Sequence, residues 1–251
     1  MTHSIRKSNL ATPQSTHPKT VPLPEAPVTA SPVPWLTSIH GAPGRGDYGD
    51  SSYRGNCSGL LIRDLLNFYT PRRVLDPMEG GGTCRDVCRE LGIEYQGRDL
   101  KRGFDATDSG AFAALGKFDF IWTHPPYWQM VRYNSADPRC LSSGRTVGEF
   151  TRQMRLVFQN CRRALNPGGK LAVLIGDGKH QGRYLGLPFR LMSAASKEGF
   201  WLAAPEIIRF GHGATSSRKP YSTAFIPRLH DVCLVLEPVG DGPEPRTAQR
   251  R

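Results

Sequence analysis

Apolar residues recur in two distinct periods along this chain, and together they predict alternating helices and strands. Behind Ser58, Leu61, Leu65, Leu66 and Tyr69 return at helical spacing, so Ser58 is expected to cap a helix that Pro71 ends. Val74 and Leu75 form a short strand, Gly80, Gly81 and Gly82 allow a sharp turn, and Thr83 opens an amphipathic helix running to about Leu91. A strand at Ile93–Gly97 follows, then Phe118–Trp122, which alternates like a buried strand. Val147–Leu165 reads as an amphipathic helix with Phe150, Met154, Val157, Phe158 and Leu165 on one side, stopped by Asn166-Pro-Gly-Gly169. Leu171–Ile175 is continuously apolar, as in a strand buried on both faces. A helix over Pro188–Glu198 and strands over Trp201–Phe210 and Asp231–Leu236 complete the pattern. Strands alternating with helices predict an α/β domain with a mostly parallel sheet.

Composition sets the limits of that domain. The chain of 251 residues is long enough for one substantial α/β unit. Residues 1–40, rich in Pro, Ser and Thr, are expected to form a disordered tail, 41–238 the folded domain, and 239–251 a second tail. A formal net charge of +11 points to a polyanionic partner, because Lys and Arg neutralise phosphates and release counterions. The six cysteines are spread singly, and Cys84 and Cys88 have no neighbouring Cys/His pair. Reduced thiols and no metal site are therefore expected. No apolar run reaches membrane-spanning length and the N-terminus lacks a secretory signal, so a cytoplasmic protein with no membrane partner is expected.

Two stretches carry chemistry. Asp76-Pro-Met-Glu-Gly-Gly-Gly-Thr83 joins a strand, a glycine turn and a helix N-terminus, the parts of a nucleotide-type crevice. Asp99, 23 residues after Asp76, stands where such crevices grip a ribose diol, although a turn aspartate fits equally well. Asp105 offers a further polar contact. The second stretch, Thr123-His-Pro-Pro-Tyr127, stops the central strand at two prolines. Pro lacks an amide donor and bars its predecessor from the helical region, so the turn is stiff and extended. It brings together a side-chain acceptor (His124), a carbonyl (Pro125) and an aromatic ring (Tyr127).

These residues resemble the S-adenosylmethionine-dependent DNA amino-methyltransferases of the N6-adenine and N4-cytosine type. Asp76–Thr83 is similar to their cofactor motif D-P-F-x-G-x-G-T, with Met78 in place of Phe. His124-Pro-Pro-Tyr127 is similar to their catalytic motif, with His in place of Asp, Asn or Ser. Tyr53-Arg-Gly-Asn56 is similar to the F-x-G-N element that holds the methionine end of the cofactor. The likeness spans about residues 46–237, with the cofactor element ahead of the catalytic turn.

The resemblance implies a Rossmann-like class I methyltransferase fold: a mostly parallel seven-stranded sheet with helices on both faces. It implies S-adenosylmethionine held by Tyr53, Asn56, Asp76, Pro77, Gly80, Gly82, Thr83, Asp99 and Asp105. His124 and the Pro125 carbonyl would accept hydrogen bonds from an amino group, helped by the rigidity of Pro126, and Tyr127 would stack on an extruded base. Trp128, Arg132 and Asp177 are the substrate-side candidates, Asp177 being equally suited to a solvated turn. The basic loops at 128–146 and 209–228 are candidate phosphate-contacting regions, and their Arg residues are also compatible with plain solvated charges. The implied activity is methyl transfer to adenine or cytosine in DNA, as in restriction-modification and with base flipping, placing the protein in a bacterial cytoplasm or nucleoid. An RNA amino-methyltransferase and a catalytically inactive DNA-binding relative are the alternatives. The oligomeric state stays open, a homodimer included. With an ordinary histidine pKa of about 6.5, turnover through His124 is expected to fall as pH drops through that value.

Overall fold

The computed structural model describes residues 30–42, 44–133, 137–210, 226 and 228–240. The chain runs through β1 (Ile39–His40), α1 (Gly59–Tyr69), β2 (Arg73–Asp76), α2 (Thr83–Leu91), β3 (Glu94–Gly97), α3 (Ser109–Ala113) and β4 (Phe118–Thr123). It continues with α4 (Val147–Ala164), β5 (Leu165–Ile175), β6 (Lys179–His180), β7 (Arg183–Tyr184), α5 (Leu187–Lys197), β8 (Phe200–Leu202), β9 (Ile207–Phe210) and β10 (His230–Pro238). Seven strands form one sheet path, β1-β9-β10-β5-β4-β2-β3, and β8 adds an eighth by pairing with β10. The run β3-β2-β4-β5 is parallel, whereas β10 is antiparallel to β5, β8 and β9.

Both faces of the sheet are covered, as a parallel sheet requires. Leu61, Ile62 and Leu65 of α1 and Val87 of α2 pack with Phe120, Trp122, Ala172 and Leu174 on one face. Phe150, Met154 and Phe158 of α4 and Leu191 of α5 pack with Phe118, Ile121, Leu171 and Val173 on the other. Phe118 and Phe120 therefore serve opposite faces although two residues apart. The register against β5 shifts between them, a bulge that reverses the parity of the strand. Asp119, the residue between, accepts hydrogen bonds from the Arg72 and Arg73 amides and from Asn166 Nδ2, which pins the base of β4 to its neighbours.

Three expectations need correction. Ile39–His40 lie within the span 1–40 expected to be a tail, yet they form β1 and pair with Ile208 and Arg209 of β9; Val33 is also buried. Residues 1–29 and 241–251 lie outside the described residues, as do His212, Arg218 and Lys219 of the second basic loop. Asn166-Pro-Gly-Gly169 does not precede a strand but belongs to β5, which begins at Leu165. Trp201–Phe210 is two strands, because Pro205 falls between β8 and β9 and offers no amide to β10.

Candidate active site

Strand order reverses beside β2, whose neighbours β3 and β4 follow it in sequence on opposite sides, and a cleft opens at the carboxyl ends of these strands. It encloses about 960 Å³ of empty space out to its mouth. Its walls come from the loop before α1 (Tyr53, Asn56), the glycine turn (Asp76–Gly81, Thr83), the segment after β3 (Asp99–Lys101, Phe104–Thr107), the turn after β4 (His124, Pro126), and Tyr133, Arg139, Cys140 and Leu141.

Hydrogen bonds between these segments fix the floor. Asp99 Oδ2 accepts from the Gly80 amide at 3.0 Å, and Oδ1 accepts from the Lys101 amide at 2.8 Å. A carboxylate has about four acceptor positions, so both oxygens retain capacity for a ligand hydroxyl. Asp76 Oδ1 accepts from the Met78 amide at 3.0 Å. Burial holds the Asp76 carboxyl well above the usual carboxylate range, with Glu79 and Asp99 adding repulsion. Asp105 Oδ1 accepts from the amide and the hydroxyl of Thr107, at 2.8 and 2.7 Å. Thr83 Oγ1 donates to Asn56 Oδ1, and Asn56 Nδ2 donates to the Asp50 carbonyl, which ties the loop before α1 to the first turn of α2. The Gly81 carbonyl accepts from the Asp50 amide at 2.8 Å. Gly80 and Gly81 lie so close under Tyr53 that a Cβ on either would reach its side chain at 3.0 Å.

Tyr53 and Tyr133 stack with centroids 6.0 Å apart and planes 16° from parallel, and Lys101 Nζ stands 4.7 Å from the Tyr53 ring centre. Burial, with Asp99 nearby, pushes the Tyr53 hydroxyl up to about 12, so it stays neutral.

At the opposite wall, His124 Nε2 lies 3.0 Å from Tyr127 Oη. Burial pushes the His124 imidazole down to about 4, with Asp231 opposing and Arg209 reinforcing that shift. The ring is therefore neutral at physiological pH, and Nδ1 is the nitrogen left for a ligand. Behind the pair, Arg209 of β9 forms a buried ion pair with Asp231, its register partner on β10, and Arg228 Nη2 approaches Asp231 Oδ1 to 3.9 Å. Gly176 lets these groups converge: a Cβ there would strike the Tyr127 ring and lie 2.5 Å from Asp231 Oδ1.

The cleft thus brings together Tyr53, Asn56, Asp76, Pro77, Gly80, Thr83, Asp99, Asp105, His124 and Pro126. Gly82 stands just behind the wall as the left-handed cap of α2, with φ of 80°. Five other candidates are placed elsewhere. Pro125 is buried, and Tyr127 packs half-buried against the core instead of presenting a free ring. Trp128 is buried because its indole N–H finds the Gly144 carbonyl at 2.9 Å. Asp177 caps structure: its carboxylate accepts from the amides of Gly178, Gly186 and Leu187, two of them orphan donors at the start of α5. Arg132 is exposed and does not line the cleft, although its neighbour Tyr133 does.

Glu79, buried and ion-paired with Arg85 and Arg102, is a wall residue that the motif treats as a free position. Tyr133 and Arg139, from the loop expected to meet phosphates, line this same cleft. Among the described residues no cluster of His, Cys, Asp and Glu could hold a metal, and no helix is long and apolar enough to cross a membrane.

No family model matches the chain, and no curated protein matches it. Solved structures similar to it include TrmN from Thermus thermophilus, at 19% identity over 74% of this chain and 50% of that one, with a TM-score of 0.43. TTHA0409, also from Thermus thermophilus, a candidate DNA modification methylase complexed with S-adenosyl-L-methionine, is 24% identical over 58% of this chain and 56% of its own, with a TM-score of 0.37. A methyltransferase from Pyrococcus furiosus is 13% identical over 74% of this chain and 85% of its own, with a TM-score of 0.44. The chain spans about half the length of the first two.

Proposed function

We propose that this chain is an S-adenosylmethionine-dependent methyltransferase acting on an exocyclic amino nitrogen of adenine or cytosine in DNA. The observation that supports this reading is the meeting of the glycine turn, Asp99 and His124 around one cleft at the strand-order reversal. The residues present suit the cofactor. Asp99 has acceptor capacity for a ribose diol, Phe104, Leu100 and Met78 offer apolar walls for a purine, and Tyr53 and Asn56 border the side beside the glycine turn. Bound there, S-adenosylmethionine supplies an electrophilic methyl group on a sulfonium.

The chain's own task is to present the amino nitrogen. That nitrogen's lone pair is delocalised into the base, and acceptors for its hydrogens localise the pair toward the electrophile. His124, neutral and held by Tyr127, offers Nδ1 as such an acceptor. The same nitrogen can take the proton that the amino group sheds once its new N–C bond forms.

Incubating the full chain with methyl-labelled S-adenosylmethionine and separate DNA and RNA substrates, followed by nucleoside separation, tests this. Label in N6-methyladenine or N4-methylcytosine from DNA is the expected result. Label in RNA alone would replace the substrate, and bound cofactor without transfer to either would end the catalytic reading.

A further inference from the structure

Between Asp177 and Glu198 the sequence holds no acidic residue, and this segment leaves the sheet as a small hairpin beside the Pro-Pro turn. Among the described residues, strands β6 and β7 pair only with each other, and all four of their residues are exposed, as are Gln181 and Gly182 at the tip. An isolated two-stranded hairpin is marginal in water, so its anchors are informative. The Leu185 amide donates to the Gly178 carbonyl at 3.0 Å, and the Asp177 carboxylate holds the amides at both ends. His180 meets Trp128 edge-to-face, with centroids 5.0 Å apart. Trp128 directly follows the Pro-Pro-Tyr turn, so the hairpin is anchored to the segment that leaves the candidate catalytic turn.

Its outer face sets a cation beside a ring. Lys179 and Tyr184 are register partners on one face of the hairpin, with Lys179 Nζ 5.9 Å from the centre of the exposed Tyr184 ring, while Arg183 pairs with His180 on the other face, the one that meets Trp128. Tyr184 donates its hydroxyl to the Ile226 carbonyl, which fixes the ring without covering it. Phe189, in the first turn of α5, is 82% exposed, and Met130, whose sulfur lies against Gly178, is 48% exposed. Single exposed apolar residues are ordinary, but a group of rings and cations on a segment whose sequence from Gly178 to Lys197 holds no acidic residue is the composition that takes phosphates and unpaired bases together.

We infer that the β6–β7 hairpin, with Tyr184 and Phe189 as stacking surfaces and Lys179 as a phosphate contact, holds an unpaired nucleic-acid strand beside the target nucleotide. This rests on the nucleic-acid reading of the cleft but is tested without turnover. A fluorescent single-stranded DNA of about 12 nucleotides, its RNA counterpart and the matching duplex are titrated with the full chain.

The single strands are expected to bind tighter than the duplex. Tyr184→Ala and Phe189→Ala should each weaken single-strand binding about tenfold, the scale of one lost stacked base. Tyr184→Phe, which keeps the ring and loses only the bond to Ile226, should bind as wild type. Lys179→Ala should lower the slope of log affinity against log salt by roughly 0.7. Unchanged binding by Tyr184→Ala and Phe189→Ala, with native circular dichroism, overturns the inference. So does equal competition by polyglutamate, which would mark the hairpin as an acidic-protein contact. Strand binding that follows this pattern in a chain with no methyl transfer would overturn the proposed activity alone.

Discussion

His124 Nε2 and Tyr127 Oη stand 3.0 Å apart, so the residues on either side of the two prolines share one hydrogen bond. A neutral imidazole carries a single N–H, and the bond made by one nitrogen sets what the other can do. For Nδ1 to accept from a substrate amino group, Nε2–H must donate to the tyrosine oxygen. Tyr127→Phe removes that partner and frees the tautomer. Turnover should fall about tenfold, the scale of one hydrogen bond, with cofactor affinity unchanged. Imidazole nitrogen chemical shifts should show the wild-type ring mainly as the Nε2–H form and the variant as a mixture; an Nδ1–H ring in the wild type would contradict the assignment.

The pH profile follows from the burial of the same ring. Its ordinary value of about 6.5 puts the loss of an acceptor near neutrality, whereas the folded environment pushes it down to about 4. Turnover should therefore stay flat between about pH 8 and pH 5 with respect to this group and fall only as pH approaches 4. Chemistry-limited rates across that range decide it, and a midpoint near 6.5 would mean that the ring is solvated. The sign for stability is the same. The unfolded chain takes up the proton first, so the contribution is complete above the unfolded value and is lost as pH falls from there through the folded one.

Asp99→Asn keeps an acceptor for one of the two backbone amides that it holds, Gly80 or Lys101, but removes the charge and turns the other oxygen into a donor. S-adenosylmethionine affinity, measured by calorimetry, should weaken about tenfold to a hundredfold, the range for a hydrogen bond to a charged group. An unchanged affinity would leave Asp99 as a turn residue alone.

The ion pair behind the turn has a different signature. Arg209→Leu leaves Asp231 buried with Arg228, at 3.9 Å, as the more distant cation. Breaking such a pair costs about 3–5 kcal/mol, and Arg228 places this case at the lower end. Urea unfolding of Arg209→Leu, of Asp231→Leu and of the double variant should show the double variant as more stable than Arg209→Leu.

Gly176→Ala should cost about 1–3 kcal/mol and lower turnover, because the added methyl forces the Tyr127 ring or the Asp231 carboxylate to move. A variant with wild-type stability and rate would show that this corner is looser than the packing indicates.

The sequence made the sheet's interior legible because local physics writes it there. Ser58 caps α1 as its type and the apolar spacing behind it require, and Leu171–Ile175 is buried on both faces as its continuous apolarity requires. Asp99 was legible by its distance from Asp76. Features set by distant partners were not. Two residues at Ile39–His40 carry no strand signal until β9 lies beside them, and the bulge at Asp119 depends on Asn166 and the Arg72 and Arg73 amides. The burial of Trp128 depends on a carbonyl 16 residues away, and the burial of Glu79 on two arginines. The depressed imidazole of His124 is likewise a property of what surrounds it, with no trace in the residue type.

Strand β1 covers the outer side of β9, and its His40 also reaches Asp64, with 3.0 Å between Nε2 and Oδ2. A chain trimmed to start at Gly41 would therefore lose the strand that seals β9. The bare amides and carbonyls of β9 would form an adhesive margin, ready to recruit the same strand of another copy. Aggregation of such a shortened preparation would then report a missing hem of two residues rather than a fault in the catalytic half of the molecule.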